Sequence, residues 1–112
     1  MVYFSGPEDA RHAAGLGRCS RHLEARARGL PFHAADNLPF GEGWNAPQNY
    51  AAGLNCSKWM QRQPLCQLAA TLETPYANAS GTAVLPNSAR AFGASMADAV
   101  AAHWIAQTSR TH

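Results

Sequence analysis

The stretch "QLAATLETPYANASG", residues 67–81, decides how the rest of the chain is read. From Cys66 to Glu73, apolar and polar residues alternate. Cys66, Leu68, Ala70 and Leu72 fall on one side, and Gln67, Ala69, Thr71 and Glu73 on the other. A period of two over such a run predicts a strand with one face buried. The strand ends on a carboxylate, Glu73, and the chain then turns through Thr74 and Pro75. Open α/β sheets place their binding crevice beyond the carboxyl ends of their strands, so Glu73 is expected at the rim of such a crevice. Partly shielded by loops carrying Tyr50 and Tyr76, a carboxylate there would suit a general base. The plainer alternative is a solvated acid at a strand end, or one paired with Arg90.

Outward from this strand, the expected elements are helices and loops. A helix is expected over residues 5–30, opened by a Ser5–Glu8 capping box with Pro7 in the first turn. Leu16, Cys19, Leu23 and Ala27 recur at helical spacing, and Gly29 stands as a C′ residue. Residues 31–55 hold Pro31, Pro39, Pro47, Gly41, Gly43, Gly53 and four asparagines. That is too much punctuation for regular structure. Phe32, Phe40, Trp44 and Tyr50 argue for an ordered loop lining a site rather than for disorder. A short helix is expected near Ser57–Arg62, stopped by Pro64, then a second loop over residues 74–86. Asn87 would cap a last helix reaching about Gln107, with Ala89, Phe92, Met96, Val100 and His103 on its apolar face. A lone strand cannot make a sheet. Either further strands hide in residues 1–4 and the loops, or the chain is a piece of a larger α/β domain; the second is the preferred expectation.

The composition excludes several classes. A length of 112 residues gives one domain, and the net charge of +2 comes without a basic run. Nucleic acid is not an expected partner. No segment approaches the roughly 18 apolar residues of a membrane span, and the N-terminus does not read as a signal peptide, which makes the cytoplasm the default location. Cys19, Cys56 and Cys66 lack metal-binding spacing, and none sits in a setting that would activate a thiol nucleophile. Asn55 and Asn78 match a glycosylation pattern that matters only in a eukaryotic secretory setting.

"TLETPYANASGTAVLPNSARAFGASMADAV" resembles the C-terminal end of the zinc metallocarboxypeptidases of the carboxypeptidase A-like family. There a strand ending in the catalytic glutamate is followed by a loop and a closing helix. "GLPFHAADNLPFGEGWNAPQNYAAGLNCSKWM" resembles the segment before that strand, with Tyr50, Gly53 and Trp59 in the family's order. The resemblance covers roughly residues 20–107. It implies an α/β fold class, the C-terminal fragment of a three-layer αβα zinc-carboxypeptidase-like domain, mostly helix and loop with one clear strand. Residues 1–112 would form a single, partial catalytic domain. It implies peptide hydrolysis in which Glu73 deprotonates a zinc-bound water. Tyr50 would close over the peptide substrate, and Ser57 would help line the side-chain pocket.

The chain departs from the family in its metal ligands. Zinc serves the full-length family, held by a His-x-x-Glu pair and a third histidine, and this sequence contains no His-x-x-Glu. His33 and Asp36 fall inside a segment that already matches another part of the family. His12 and His22 point from different faces of the first helix, and His103 lies on a core face. The expectation is therefore no metal ligands in this chain and no hydrolysis by it alone. The family's carboxylate-gripping arginine also lies upstream of the matching region, and Arg90 is in the wrong part of the motif to replace it. The rivals are a non-catalytic binding or structural module, or half of a split enzyme completed by a complementing chain.

Overall fold

The computed structural model describes residues 1–50 and 55–110. The order is β1 (Tyr3–Ser5), α1 (Ala10–Arg26), α2 (Cys56–Gln61), β2 (Thr71–Glu73), β3 (Asn78–Ala79), β4 (Thr82–Ala83) and α3 (Pro86–Arg110), with 3-10 turns at Ala34–Asp36 and Pro47–Asn49. The fold is a mixed α/β one, in which two long helices carry two small antiparallel pairs of strands.

The expected strand does find partners. β1 pairs antiparallel with β2, setting Tyr3 opposite Glu73, Phe4 opposite Leu72 and Ser5 opposite Thr71. On its other edge β1 meets the loop, where Leu38 donates its N–H to Phe4 and accepts from Gly6. Of the two explanations for a lone strand, hidden strands in the N-terminus and loops are what the fold contains, so "one clear strand" is corrected. The β2 ladder is also shorter than the alternating run. Pairing stops because β1 gives way to Gly6 and to Pro7, which has no N–H to donate. The Ala69 N–H is taken by His12 Nδ1 instead. The alternation still has its predicted sense. Leu68, Ala70 and Leu72 pack on the core, while Thr71 and Glu73 turn the other way into a cleft. The second loop closes on the β3–β4 hairpin. Ser80 and Gly81 both take positive φ at its tip, as a two-residue turn matched to strand twist requires.

The first helix starts later than expected. Ser5 lies in β1, its hydroxyl directed at the Thr71 carbonyl, so no Ser5–Glu8 capping box forms. Asp9 is the cap, and its carboxylate accepts the His12 N–H. The closing helix begins with Pro86 in its first turn, where the missing N–H is of no consequence. The Ser88 hydroxyl accepts from the Leu85 N–H and donates to the Ala83 carbonyl, tying the helix start to β4.

The helices α1 and α3 pack together over a core of Val2, Phe4, Leu16, Leu23, Leu30, Phe32, Ala79, Phe92 and Ala99. Phe4, Phe32 and Phe92 form a chain of ring contacts joining β1, the loop and α3. The buried stripe of α3 is Phe92, Ser95, Ala99 and His103, whereas Ala89 and Val100 are exposed. The bulky residues suggested a stripe slightly rotated from the real one, because small Ser95 and Ala99 permit the close approach. At the end of α1, the Arg28 N–H and guanidinium reach Ser95 Oγ, and the guanidinium pairs with Asp98 at 3.1 Å. Gly29, with φ of 77°, passes so close to α3 that a Cβ there would sit 2.2 Å from the Ser88 carbonyl oxygen.

Between α1, α3 and residues 65–70 lies an apolar groove of about 360 Å³. Leu16, Cys19, Leu68, Met96 and His103 line it, and exposed Leu65, Val100 and Trp104 rim it. Burial and the neighbouring Arg18 and His22 hold the His103 imidazole below its ordinary value, favouring its neutral form. Among the described residues no helix is long and apolar enough to cross a membrane.

Two stability outcomes follow. Gly29→Ala should destabilise the chain by more than about 1 kcal/mol in urea unfolding, because both the backbone conformation and the space exclude a side chain. The Asp9 carboxyl is held below its ordinary value of 3.8, chiefly by the His12 N–H. A lowered acid stabilises the fold above its unfolded value and loses that contribution as pH falls. Asp9→Ala should therefore lower the urea midpoint at neutral pH, and the gap from the parent protein should close in acid below 3.8.

Candidate functional site

The cleft beyond β2 is built from both ends of the sheet pairing and from the asparagine-rich loop. Ser5, Gly6, Pro7 and Glu8 form one wall, Phe40, Trp44, Asn45 and Tyr50 a second, and Asn55, Ser57, Lys58 and Gln61 a third, with Thr71 and Glu73 at the strand end. Its volume is about 80 Å³, room for two or three waters at roughly 30 Å³ each.

The structure brings Glu73, Tyr50 and Ser57 to this one cleft. Glu73 is half-buried, and its side chain forms no hydrogen bond or ion pair among the described residues. The alternative partner Arg90 is exposed on α3 and forms no ion pair with it. A carboxylate held at a strand end with nothing bonded to it is free to take a proton from, or a hydrogen bond from, whatever enters the cleft.

Tyr50 is fixed in place. Its hydroxyl donates to Asn45 Oδ1, its ring stacks on Phe40 at 6.5 Å, and the Lys58 ammonium lies 3.7 Å above its ring centre. In this arrangement it pins the loop, and its hydroxyl is already engaged. Burial, and secondly the negative charge of Glu73, push the phenol above its ordinary value. Ser57 is likewise engaged, accepting from Thr71 Oγ1 at 3.2 Å and donating to Asn55 Oδ1 at 3.1 Å. It thereby ties the start of α2 to β2. The Asn55 side-chain oxygen Oδ1 also caps α2, accepting from the Lys58 N–H. Tyr76, expected to shield Glu73, is fully exposed. Gly53, part of the resemblance, lies outside the described residues. Trp59 sits on α2 with about half its surface exposed.

Asn45 and Lys58 are the residues that sequence reasoning passed over. Asn45 is 1 % exposed, donates to the carbonyls of Gly6 and Leu38, and accepts from Tyr50. It cross-links β1's exit, the loop and the tyrosine. Asn37 does similar work, accepting the Phe4 N–H and donating to Ser20 Oγ. The available signal for Lys58 was its rarity: it is the only lysine in a chain that otherwise uses arginine.

The zinc that the resemblance implies finds no matching ligand set. No three His, Cys, Asp or Glu side chains converge among the described residues. Glu8 and Glu73 line the cleft without a histidine. His12 is fully buried with Nδ1 committed to Ala69, and His22 and His103 face each other beside α3. His33 lies 3.9 Å from Glu24, not in a site with Asp36. A catalytic zinc needs three protein ligands and an open position, and these residues do not fit it.

No family model, curated protein or solved structure matches this chain.

The Tyr50 phenol offers a direct measure of the cleft's field. In Glu73→Gln it should ionise at lower pH than in the parent protein, closer to 10.0. The check is the ultraviolet absorbance of tyrosinate during an alkaline titration. An unchanged titration would mean that the carboxylate does not act on the ring.

Proposed function

We propose that this chain supplies the proton-accepting carboxylate of a peptide-hydrolysing site of the zinc-carboxypeptidase type, as the C-terminal part of such an enzyme. The observation that supports the reading is Glu73: a half-buried carboxylate with no hydrogen bond or ion pair among the described residues, in a cleft that also holds Tyr50 and Ser57. In this reading Glu73 takes a proton from the attacking water and returns it to the leaving amine, as a positioned general base and then acid. Ser57 and Thr71 hold α2 against the strand end, so the wall facing Glu73 is set by a hydrogen-bonded pair. Tyr50 meets substrate only after exchanging its bond to Asn45 for one to the ligand.

Because the cleft's own residues do not make a zinc centre, hydrolysis requires polypeptide that brings the metal ligands, either upstream or on a complementing chain. The same observation favours a second reading, a non-catalytic binding module whose cleft holds a ligand without cleaving it.

The two separate by experiment. The chain is joined to, or co-expressed with, an upstream segment containing His-x-x-Glu. Release of C-terminal residues from peptides is then expected, with Glu73→Gln lowering turnover by about 10²–10⁴-fold. Undiminished turnover by Glu73→Gln would end the general-base assignment. Absence of hydrolysis in every such pairing would leave the binding module as the better reading.

A further inference from the structure

The cleft has a second chemical character that hydrolysis does not use. Phe40 and Tyr50 lie nearly parallel, 23° apart in plane and 6.5 Å apart in centre. The Lys58 ammonium sits 3.7 Å from the Tyr50 centre and 5.5 Å from that of Phe40. Aromatic faces attract cations through the ring quadrupole, most strongly when the cation is withdrawn from water. Two carboxylates, Glu8 and Glu73, line the same cleft, yet neither forms an ion pair with Lys58. The ammonium has settled on the ring face rather than on an acid. The cleft therefore combines π faces with two negative charges, and its single cation belongs to a side chain long enough to swing away.

We propose that the Phe40–Tyr50 stack with Glu73 is a recognition site for a primary alkylammonium group, and that Lys58 occupies it as an internal ligand. The occupant defines the ligand class, because a lysine-type ammonium already fits the position. An incoming ammonium must displace Lys58, so the parent protein binds it weakly. With Lys58 gone, the lining carries two carboxylates and no compensating cation. This inference does not depend on peptide hydrolysis, since it concerns binding alone.

The test uses the full 112-residue chain and n-butylammonium chloride, with sodium chloride at matched ionic strength as control, followed by NMR. Sodium screens charge equally but lacks the alkylammonium head. Lys58 is the only lysine, so its ε-methylene signals are identified without ambiguity. In the parent protein these signals should lie upfield, under the Tyr50 ring. They should move towards free-lysine positions as n-butylammonium is added, and not with sodium. In Lys58→Met, amide shifts around the cleft should saturate at about tenfold lower n-butylammonium than in the parent. Adding Tyr50→Leu to that variant should abolish them. Nα-acetyl-lysine N-methylamide provides a second arm. Tighter binding than n-butylammonium would assign the site to a polypeptide lysine, and equal binding to a free amine. Three results would overturn the proposal: ε-methylene signals at free-lysine positions in the parent protein, displacement by sodium alone, or Lys58→Met binding no tighter than the parent. The first two stand even if the variants fail to fold.

Discussion

The backbone ladder between Tyr3–Ser5 and Thr71–Glu73 is the constraint on which the rest of the structure depends. It is three residue pairs long and joins positions 66 to 70 apart in sequence. Such a ladder is weak alone, because two short strands do not make an independently stable sheet. It persists because β1 is held on both sides. Phe4 and Val2 sink into the core, Leu38 bonds along the opposite edge, and His12 fixes the chain just ahead of β2 through Ala69. The register then determines which side chains enter the cleft. A slip of one residue would send Leu72 into the cleft and Glu73 into the core.

The sequence was readable where a periodic pattern met a local signal. The alternation from Cys66 to Glu73 revealed which face carries Leu68, Ala70 and Leu72, and that Glu73 lies at a rim. The extent of the pairing was not readable, since it is fixed by Pro7 and His12, far away in sequence. Ser5 looked like a cap because its spacing to Glu8 matches one. Its backbone was claimed by the strand partner instead, a tertiary contact that no local window contains. The asparagines of the long loop read as punctuation. Half-buried Asn37 and buried Asn45 are in fact the cross-links that order it, polar groups whose hydrogen bonds are made.

The convergence of Glu73, Tyr50 and Ser57 has two sides. The alternating run brought Glu73 to attention, the resemblance alone brought Ser57 and the substrate role of Tyr50, and the cleft brings all three within one small volume. The hydroxyls of Tyr50 and Ser57, however, are spent on Asn45, Asn55 and Thr71, so as they stand they build the site's walls. Glu73 differs from both in making no hydrogen bond or ion pair among the described residues. The contrast between one uncommitted acid and its committed neighbours separates framework from reactive potential here more clearly than residue identity does.

The apolar groove beside α3 bears on how this protein's folding can be followed. Dyes that brighten in oily surroundings are commonly used to report loosened, partly folded states. Here the folded molecule already offers them an open hollow walled by Leu16, Leu68 and Met96, with Trp104 at its lip. A fluorescent signal from the intact protein would thus not indicate loss of packing. Its quenching on denaturation, rather than its appearance, would mark the transition.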